Sequence, residues 1–486
     1  MLAATRLGLA LLLLTPASAA FAGKRAQQIA VYPSGTVDAY CLALDSNEDI
    51  WVTHAYAGYV ERINEDSLQR TTIASGFPSL TALGIAIDSE DNVYFSGGGE
   101  LWKRDPEGTQ CDPPLDMSPC LRKVVSTELH GIADPAWPVY VDLANNAYIA
   151  GRIVDTQTHQ VFKVSPDGQV TTLFAPPNLP ILGQYEFLKD LAIEASGTVF
   201  VSEYKPSGGK VHRIPTSGPI QAITPGVNYI DGIEVDSDGN LWVAGRSVLK
   251  LTPTEPDFSD WDTKDLTPPT SSFDAKNTYM TKPGVWSGGG NELYTTGLIG
   301  GAWKITDEEP DPVYELLLDP STSSPPFDYG LDVIENKRGY LYLTTEHFIP
   351  SNADASVWRI CENLDTDIRC DDRDNCLEVD NAAKGVPLSQ YDADHDGYGS
   401  RCDADFDQDS ASGLTDFGIF KACFGKLVDE NVGPPADPDC AESDLNGDGG
   451  VGIADYGIFG SLYGNPVGPS GLGCALSPPV DDSCTP

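Results

Sequence analysis

Oxygen-bearing side chains recur at positions 1, 3, 5 and 12 of three twelve-residue windows near the C-terminus of this chain. The first window holds Asp392, Asp394, Asp396 and Asp403, with Gly397 at its sixth position. The second holds Asp405, Asp407, Asp409 and Asp416, and the third Asp444, Asn446, Asp448 and Asp455, with Gly449 sixth. Alternate residues of a tight loop point inward, glycine permits the sharp bend, and a last carboxylate closes the shell from the next element. Such a ring of oxygens suits a hard divalent cation, calcium (Ca2+) above all. Aspartate at the twelfth position reaches less far than glutamate, so each loop must close tightly or bind through water.

The elements that would position these ligands can be read behind them. The second and third windows repeat at a period of 39, and each is followed by apolar residues at helical spacing. Those are Leu414, Phe417, Phe420 and Phe424 in one copy, and Ile453, Tyr456, Phe459 and Tyr463 in the other. The expectation is a duplicated loop–helix unit whose two stripes bury against each other, folding only when the cation offsets carboxylate repulsion.

Asp444-Leu445-Asn446-Gly447-Asp448-Gly449, followed by Asp455 and its helix, resembles a dockerin type I repeat. Cys376, the Asp392–Gly397 turn and Cys402-Asp403 resemble a thrombospondin type 3 repeat. Ser410, where the second loop should carry glycine, and Ser412, where a dockerin has a buried aliphatic residue, depart from the pattern. The dockerin resemblance implies docking to a cohesin-like or cell-surface protein. The expected organisation is a thrombospondin-like repeat over 362–404, a dockerin-like pair over 405–466 and a Pro/Gly-rich tail over 467–486.

Charge and cysteine usage frame this reading. The chain has 486 residues and a net charge of −42, and residues 361–486 carry 26 acidic against 6 basic side chains. That balance excludes nucleic acid and anionic membrane as partners, since both require a basic face. Arg6, the apolar run Leu7–Leu14 and small residues to Ala19 and Ala22 read as an export signal over 1–22, cleaved near Ala19 or Ala22. No other stretch is apolar enough for a transmembrane segment, so the protein is expected to be secreted or on an outer surface. Eleven cysteines, eight of them from Cys361 onward, fit disulfides in an oxidising compartment. The odd count leaves one thiol, assigned to Cys41, while Cys111 and Cys120 could close a Pro-rich loop.

Upstream, a unit recurs seven times. An apolar alternation enters a turn rich in Asp, Asn, Ser or Gly, then an aromatic: Trp51, Tyr94, Tyr148, Phe200, Trp242, Tyr294 and Tyr342, spaced 42 to 54 residues apart. A third strand follows with a basic residue at a fixed place (Arg62, Lys103, Lys163, Arg213, Lys250, Lys304 and Arg359). Its presence in every unit points to a structural role. Four short strands at this period specify an all-β fold, a seven-bladed β-propeller over 27–361, with a six-bladed ring as the alternative. The last unit ends after its third strand, so the orphan strand Gln28–Tyr32 is expected to complete it. The turn and third-strand signatures resemble NHL repeats and the gluconolactonase and virginiamycin B lyase propellers.

The starts of inner strands and the ends of second strands share one propeller face. That face gathers Tyr40, Trp137, Lys189, Asp190, Asp231 and Tyr329 with His54, Arg152, Glu203, Lys205, Arg246, Glu346 and His347. Tyr40, Trp137, Asp190, Asp231 and Tyr329 are the candidates for binding a polysaccharide, peptide or small ligand. His54, Glu203, Glu346 and His347 are the candidate acid–base groups should the propeller act as a lyase or lactonase. The sequence has no nucleophile elbow, phosphate cradle or dinucleotide fingerprint. The Pro-rich stretch Thr252–Pro283 reads as a long loop over one face. The leading expectation is a ligand-binding propeller attached through a calcium-loaded module.

Overall fold

In the computed structural model the described residues are 24–32, 39–78, 84–106, 121–126, 130–155, 158–175, 187–268 (without 237, 246, 256 and 257), 292–297, 301–308, 311–318, 329–346, 355–381 (without 366 and 368), 390–428, 438–472 and 475. Seven antiparallel sheets follow one another along the chain. Blades 1 to 5 have four strands each, with inner strands Leu42–Leu44, Ile85–Ile87, Ile132–Val141, Phe187–Ile193 and Gly232–Val235. Blade 6 shows three strands among the described residues, Glu292–Gly297, Gly301–Thr306 and Val313–Leu318. Blade 7 is built from Tyr329–Glu335, Leu341–Glu346 and Ala355–Glu362, and Lys24–Tyr32 is its fourth strand. That strand pairs antiparallel from Lys24 opposite Glu362 to Tyr32 opposite Ala355, and so is longer than the Gln28–Tyr32 expected. The ring is seven-bladed.

The recurring aromatic and basic residues explain each other. In every blade they stand directly opposite across strands two and three: Trp51 with Arg62, Tyr94 with Lys103, Tyr148 with Lys163, Phe200 with Arg213, Trp242 with Lys250, Tyr294 with Lys304 and Tyr342 with Arg359. In four blades the lysine ammonium lies 5.0 to 5.9 Å from the ring centroid, a cation–π distance. Some of the charges also tie blade to blade. Lys250 of blade 5 meets Asp307 of blade 6 at 2.8 Å, and Arg359 of blade 7 meets Glu65 of blade 1 at 2.6 Å. The turn aspartates fasten the hairpins: Asp236 accepts the Asn240 N–H, the Asn240 amide and the Trp242 indole N–H. Apolar cores lie between neighbouring sheets, as where Tyr32 and Val357 of blade 7 pack with Leu42 and Ile50 of blade 1.

The stretch Thr252–Pro283 is not one loop. Thr252 and Pro253 end the third strand of blade 5, Val248–Pro253, and Trp261–Asp265 is its fourth strand, paired residue for residue. Residues 269–291 lie outside the described residues, as do residues 1–22, where an export signal is expected, and Cys111, Cys120, Cys474 and Cys484. Disulfides join Cys361 to Cys370, Cys376 to Cys402 and Cys423 to Cys440, and Cys41 is the free cysteine among the described residues. No described helix is long and apolar enough to cross a membrane.

After blade 7 the chain builds a small module with two helices, α1 (Leu414–Cys423) and α2 (Ile453–Leu462). Its core is Ala404, Phe420, Cys423, Cys440, Leu445, Val451 and Phe459. Phe420 and Phe459 stack with ring centroids 5.1 Å apart. The expected burial of two whole stripes is not found. Leu414 and Ile453 are 77% and 82% exposed, and Phe417, Phe424, Tyr456 and Tyr463 are also exposed. The loops and the Cys423–Cys440 bond fill the core instead, leaving one ring per helix to seal it.

Candidate functional site

The three acidic windows adopt one backbone form. Their fourth residues, His395, Gln408 and Gly447, have φ of 61°, 60° and 68°, and their sixth, Gly397, Ser410 and Gly449, have φ of 93°, 76° and 90°. In each, the first aspartate accepts the N–H of the sixth residue: Asp392 from Gly397 at 3.0 Å, Asp405 from Ser410 at 2.5 Å and Asp444 from Gly449 at 2.8 Å. Left-handed conformation is cheap for glycine and costly for serine. The second loop therefore keeps its shape against the preference of Ser410.

The helices bring in the closing ligands. Asp416 and Asp455 are the third residues of α1 and α2, and both are buried. One oxygen of each accepts the N–H of the residue before its helix, Gly413 or Gly452, at 2.7 Å. The other oxygen accepts a loop N–H, from Asp407 at 3.0 Å or Asn446 at 3.1 Å. Helix start and loop are thus locked through one carboxylate.

Carboxylate oxygens gather within 4.8 Å of one another in Asp392/Asp394/Asp396, Asp405/Asp407/Asp416 and Asp444/Asp448/Asp455. These groups could hold a metal ion. Asp403 and Asp409 stand outside them: Asp403 accepts the Asp405 N–H at 2.8 Å, and Asp409 accepts the Ala411 N–H at 3.2 Å. Asn446 donates its amide to Asp448 at 3.0 Å. Burial, followed by a side-chain hydrogen bond with Asp394, pushes Asp392 up to about 7, and burial raises Asp396 and Asp444 to about 6. The donors are all hard oxygens carrying uncompensated negative charge, which fits an alkaline-earth cation better than zinc or copper.

Two further acidic features were not foreseen. Asp365, Asp367 and Asp374 form a fourth group beside the end of blade 7. Glu442, from the 3₁₀ turn Pro438–Ser443, lines a cleft with Asp394, Asp403 and Asp405. Neither group repeats an alternating aspartate window, and Glu442 arrives from a distant turn, so spacing carried no signal for them.

On the propeller, the candidate acid–base groups are held within separate blades. His54 is buried, 3.3 Å from Glu61 and stacked 4.0 Å from the Tyr59 ring. Glu203 bonds His212, a residue the sequence reading passed over, and Lys205, each at 2.6 Å. The Glu346 side chain and His347 lie outside the described residues, as do the side chains of Trp137 and Tyr329 and the whole of Arg246. Tyr40 is buried, and its carbonyl accepts the Thr344 hydroxyl at 2.9 Å. Arg152 is the penultimate residue of the second strand of blade 3, Ala147–Ile153, and is half-buried.

Lys189 and Asp190 sit on the inner strand of blade 4, and Asp231 directly precedes that of blade 5. Asp190 accepts the N–H groups of Leu191 and, in blade 5, Ile233, both at 2.8 Å. Asp332 of blade 7 makes the same staple, accepting from Val333 at 2.9 Å and from Leu42 of blade 1 at 2.8 Å. Enclosure by protein pushes both carboxyls up to about 7. Lys189 Nζ lies 4.0 Å from Asp231.

No protein-family model and no curated protein matches the sequence. Among solved structures, the chain is similar to virginiamycin B lyase from Staphylococcus aureus at 12% identity and TM-score 0.48, over 69% of this chain and 99% of that one. A gluconolactonase from Xanthomonas campestris aligns at 12% identity and TM-score 0.39, over 69% and 89%. The PQQ-bound aldose sugar dehydrogenase of Streptomyces coelicolor aligns at 15% identity and TM-score 0.39, over 69% and 98%. All are likenesses at the level of the fold.

Proposed function

We propose that this is an extracellular calcium-binding protein in which the propeller binds a small or polymeric ligand and the two-helix module docks it to a partner. The observation that carries the reading is the pair of carboxylate groups, Asp405/Asp407/Asp416 from positions 1, 3 and 12 of one loop and Asp444/Asp448/Asp455 from positions 1, 5 and 12 of the other, each closed by a buried aspartate at a helix start. An ion coordinated there would offset the burial, and behind it the repulsion from Asp455 and Asp448, that raise Asp444, and would fix both helices. The exposed Leu414 and Ile453, at equivalent places on α1 and α2, support docking. Their partner would be of cohesin-like or cell-surface type and would cover a duplicated apolar face.

Calorimetric titration of the full mature chain tests the ion. The expected result is saturable calcium binding with affinities of about 10⁻⁴–10⁻³ M, typical of extracellular modules. Asp444→Asn with Asp455→Asn should remove one ion from the stoichiometry. Unchanged binding in that double variant would end the reading. The alternative of a propeller lyase or lactonase would need a proton-transfer pair. His54 and Glu203 are instead committed to partners in their own blades.

A further inference from the structure

Asp231 is unlike the other inner-strand carboxylates. It precedes the inner strand of blade 5, is 1% exposed, and among the described residues neither of its oxygens receives a hydrogen bond. Its nearest cation, Lys189, stands at 4.0 Å, beyond hydrogen-bond length. Asp190 and Asp332, by contrast, each use both oxygens on backbone N–H groups.

These groups face the propeller axis. Lys189 of blade 4 lies within electrostatic reach of Cys41 of blade 1, and Asp332 of blade 7 within reach of Asp190 of blade 4. Blade 4 is a neighbour of neither blade 1 nor blade 7 around the ring, so these influences act across the axis. The register breaks between Leu188 and Leu191 and between Gly330 and Asp332 are bulges, the device that re-aims a side chain out of the strand alternation. Asp190, Asp332 and Cys41 are half-buried.

A buried carboxylate without donors destabilises a fold, so Asp231 calls for donors from outside. An ammonium ligand would meet Lys189, and an anionic one would meet Asp190, Asp231 and Asp332. A hydroxyl both donates and accepts, so neighbouring hydroxyls can serve the carboxylate and the ammonium together. We infer that the axial side of blades 4 and 5 carries a binding site for a neutral polyhydroxylated ligand, of monosaccharide or cyclitol class, held by Asp231 and Lys189. This rests on the proposal that the propeller binds a small ligand, and names its class.

The test is thermal shift and calorimetry on the full calcium-loaded chain with D-glucose, D-galactose and myo-inositol, beside putrescine as cation and citrate as anion. At least one polyol should bind, raise the melting temperature and slow alkylation of Cys41 by iodoacetamide. Asp231→Asn should weaken that polyol about tenfold or more, equivalent to about 1.4 kcal/mol, while melting higher than wild type without ligand. Lys189→Met should weaken it too, and serves should the first variant misfold. Absence of binding by every polyol, or an Asp231→Asn protein that binds as wild type, overturns the inference. Putrescine or citrate binding that ignores Asp231→Asn would sink the polyol site and spare the wider small-ligand reading. Failure of all three classes would bring down both.

Discussion

Glu65 of the first blade and Arg359 of the last form a buried ion pair at 2.6 Å, across the seam where the ring closes. Glu65 also accepts from the Tyr342 hydroxyl at 3.2 Å and from Arg373, which follows the Cys361–Cys370 bond. One carboxylate thus joins blade 1, blade 7 and the segment leading to the C-terminal module. Removing one partner of such a pair leaves a buried charge uncompensated. Glu65→Ala should destabilise the propeller by about 3–5 kcal/mol in denaturant unfolding. A loss below about 1 kcal/mol would show that the seam does not depend on it.

Ser410 holds φ 76° where the first and third loops have glycine. A non-glycine residue there costs about 1–2 kcal/mol. Ser410→Gly should therefore raise the module's stability, or its calcium affinity, by that order. Calorimetric melting with and without calcium measures it, and no gain would mean that the loop relaxes around serine.

Asp190 gives a pH dependence with a defined sign. Its folded carboxyl is raised to about 7 by enclosure, against an ordinary value near 3.8. Between those values the folded state binds more protons than the unfolded one, so stability falls as pH rises from about 4 to about 7. The contribution is fully present below that window and lost above it. With saturating calcium throughout, Asp190→Asn should flatten the slope of unfolding free energy over this range. An unaltered slope would assign the proton elsewhere.

Leu414 and Ile453 are exposed at matching places on α1 and α2. Leu414→Asp with Ile453→Asp should leave calcium binding intact and shift stability by no more than about 0.5 kcal/mol for each substitution. The double variant should lose binding to any cohesin-like partner that wild type binds. Collapse of the module would instead show that the two side chains support its core.

What the residues disclosed depended on how far apart the cooperating groups lie in the chain. The aromatic–basic pairs sit on adjacent strands of one hairpin, so Trp242 and Lys250 are tied by register and visible as a repeat. The turns of the loops were equally legible, because a few consecutive residues fix them, whereas which carboxylates gather was less so, since Asp403 and Asp409 stand outside the groups. The axial groups were legible only as residue types on one face. Closing seven sheets decides that Asp190 is consumed by Ile233 while Asp231 has no donor among the described residues. The helix stripes misled for a related reason. Apolar spacing marks a helix face, but whether the face is covered depends on the loops and the Cys423–Cys440 bond, which here fill the core first.

The strand Lys24–Tyr32 finds its partner Ala355–Glu362 more than 320 residues downstream. At synthesis rates of about 5–20 residues per second, the two meet only after roughly tens of seconds. Until then six blades and part of a seventh accumulate as an open arc with a bare strand at one end. Completion of the ring is therefore a late, long-range step, and the interval before it is when this protein is most exposed to pairing with its own copies.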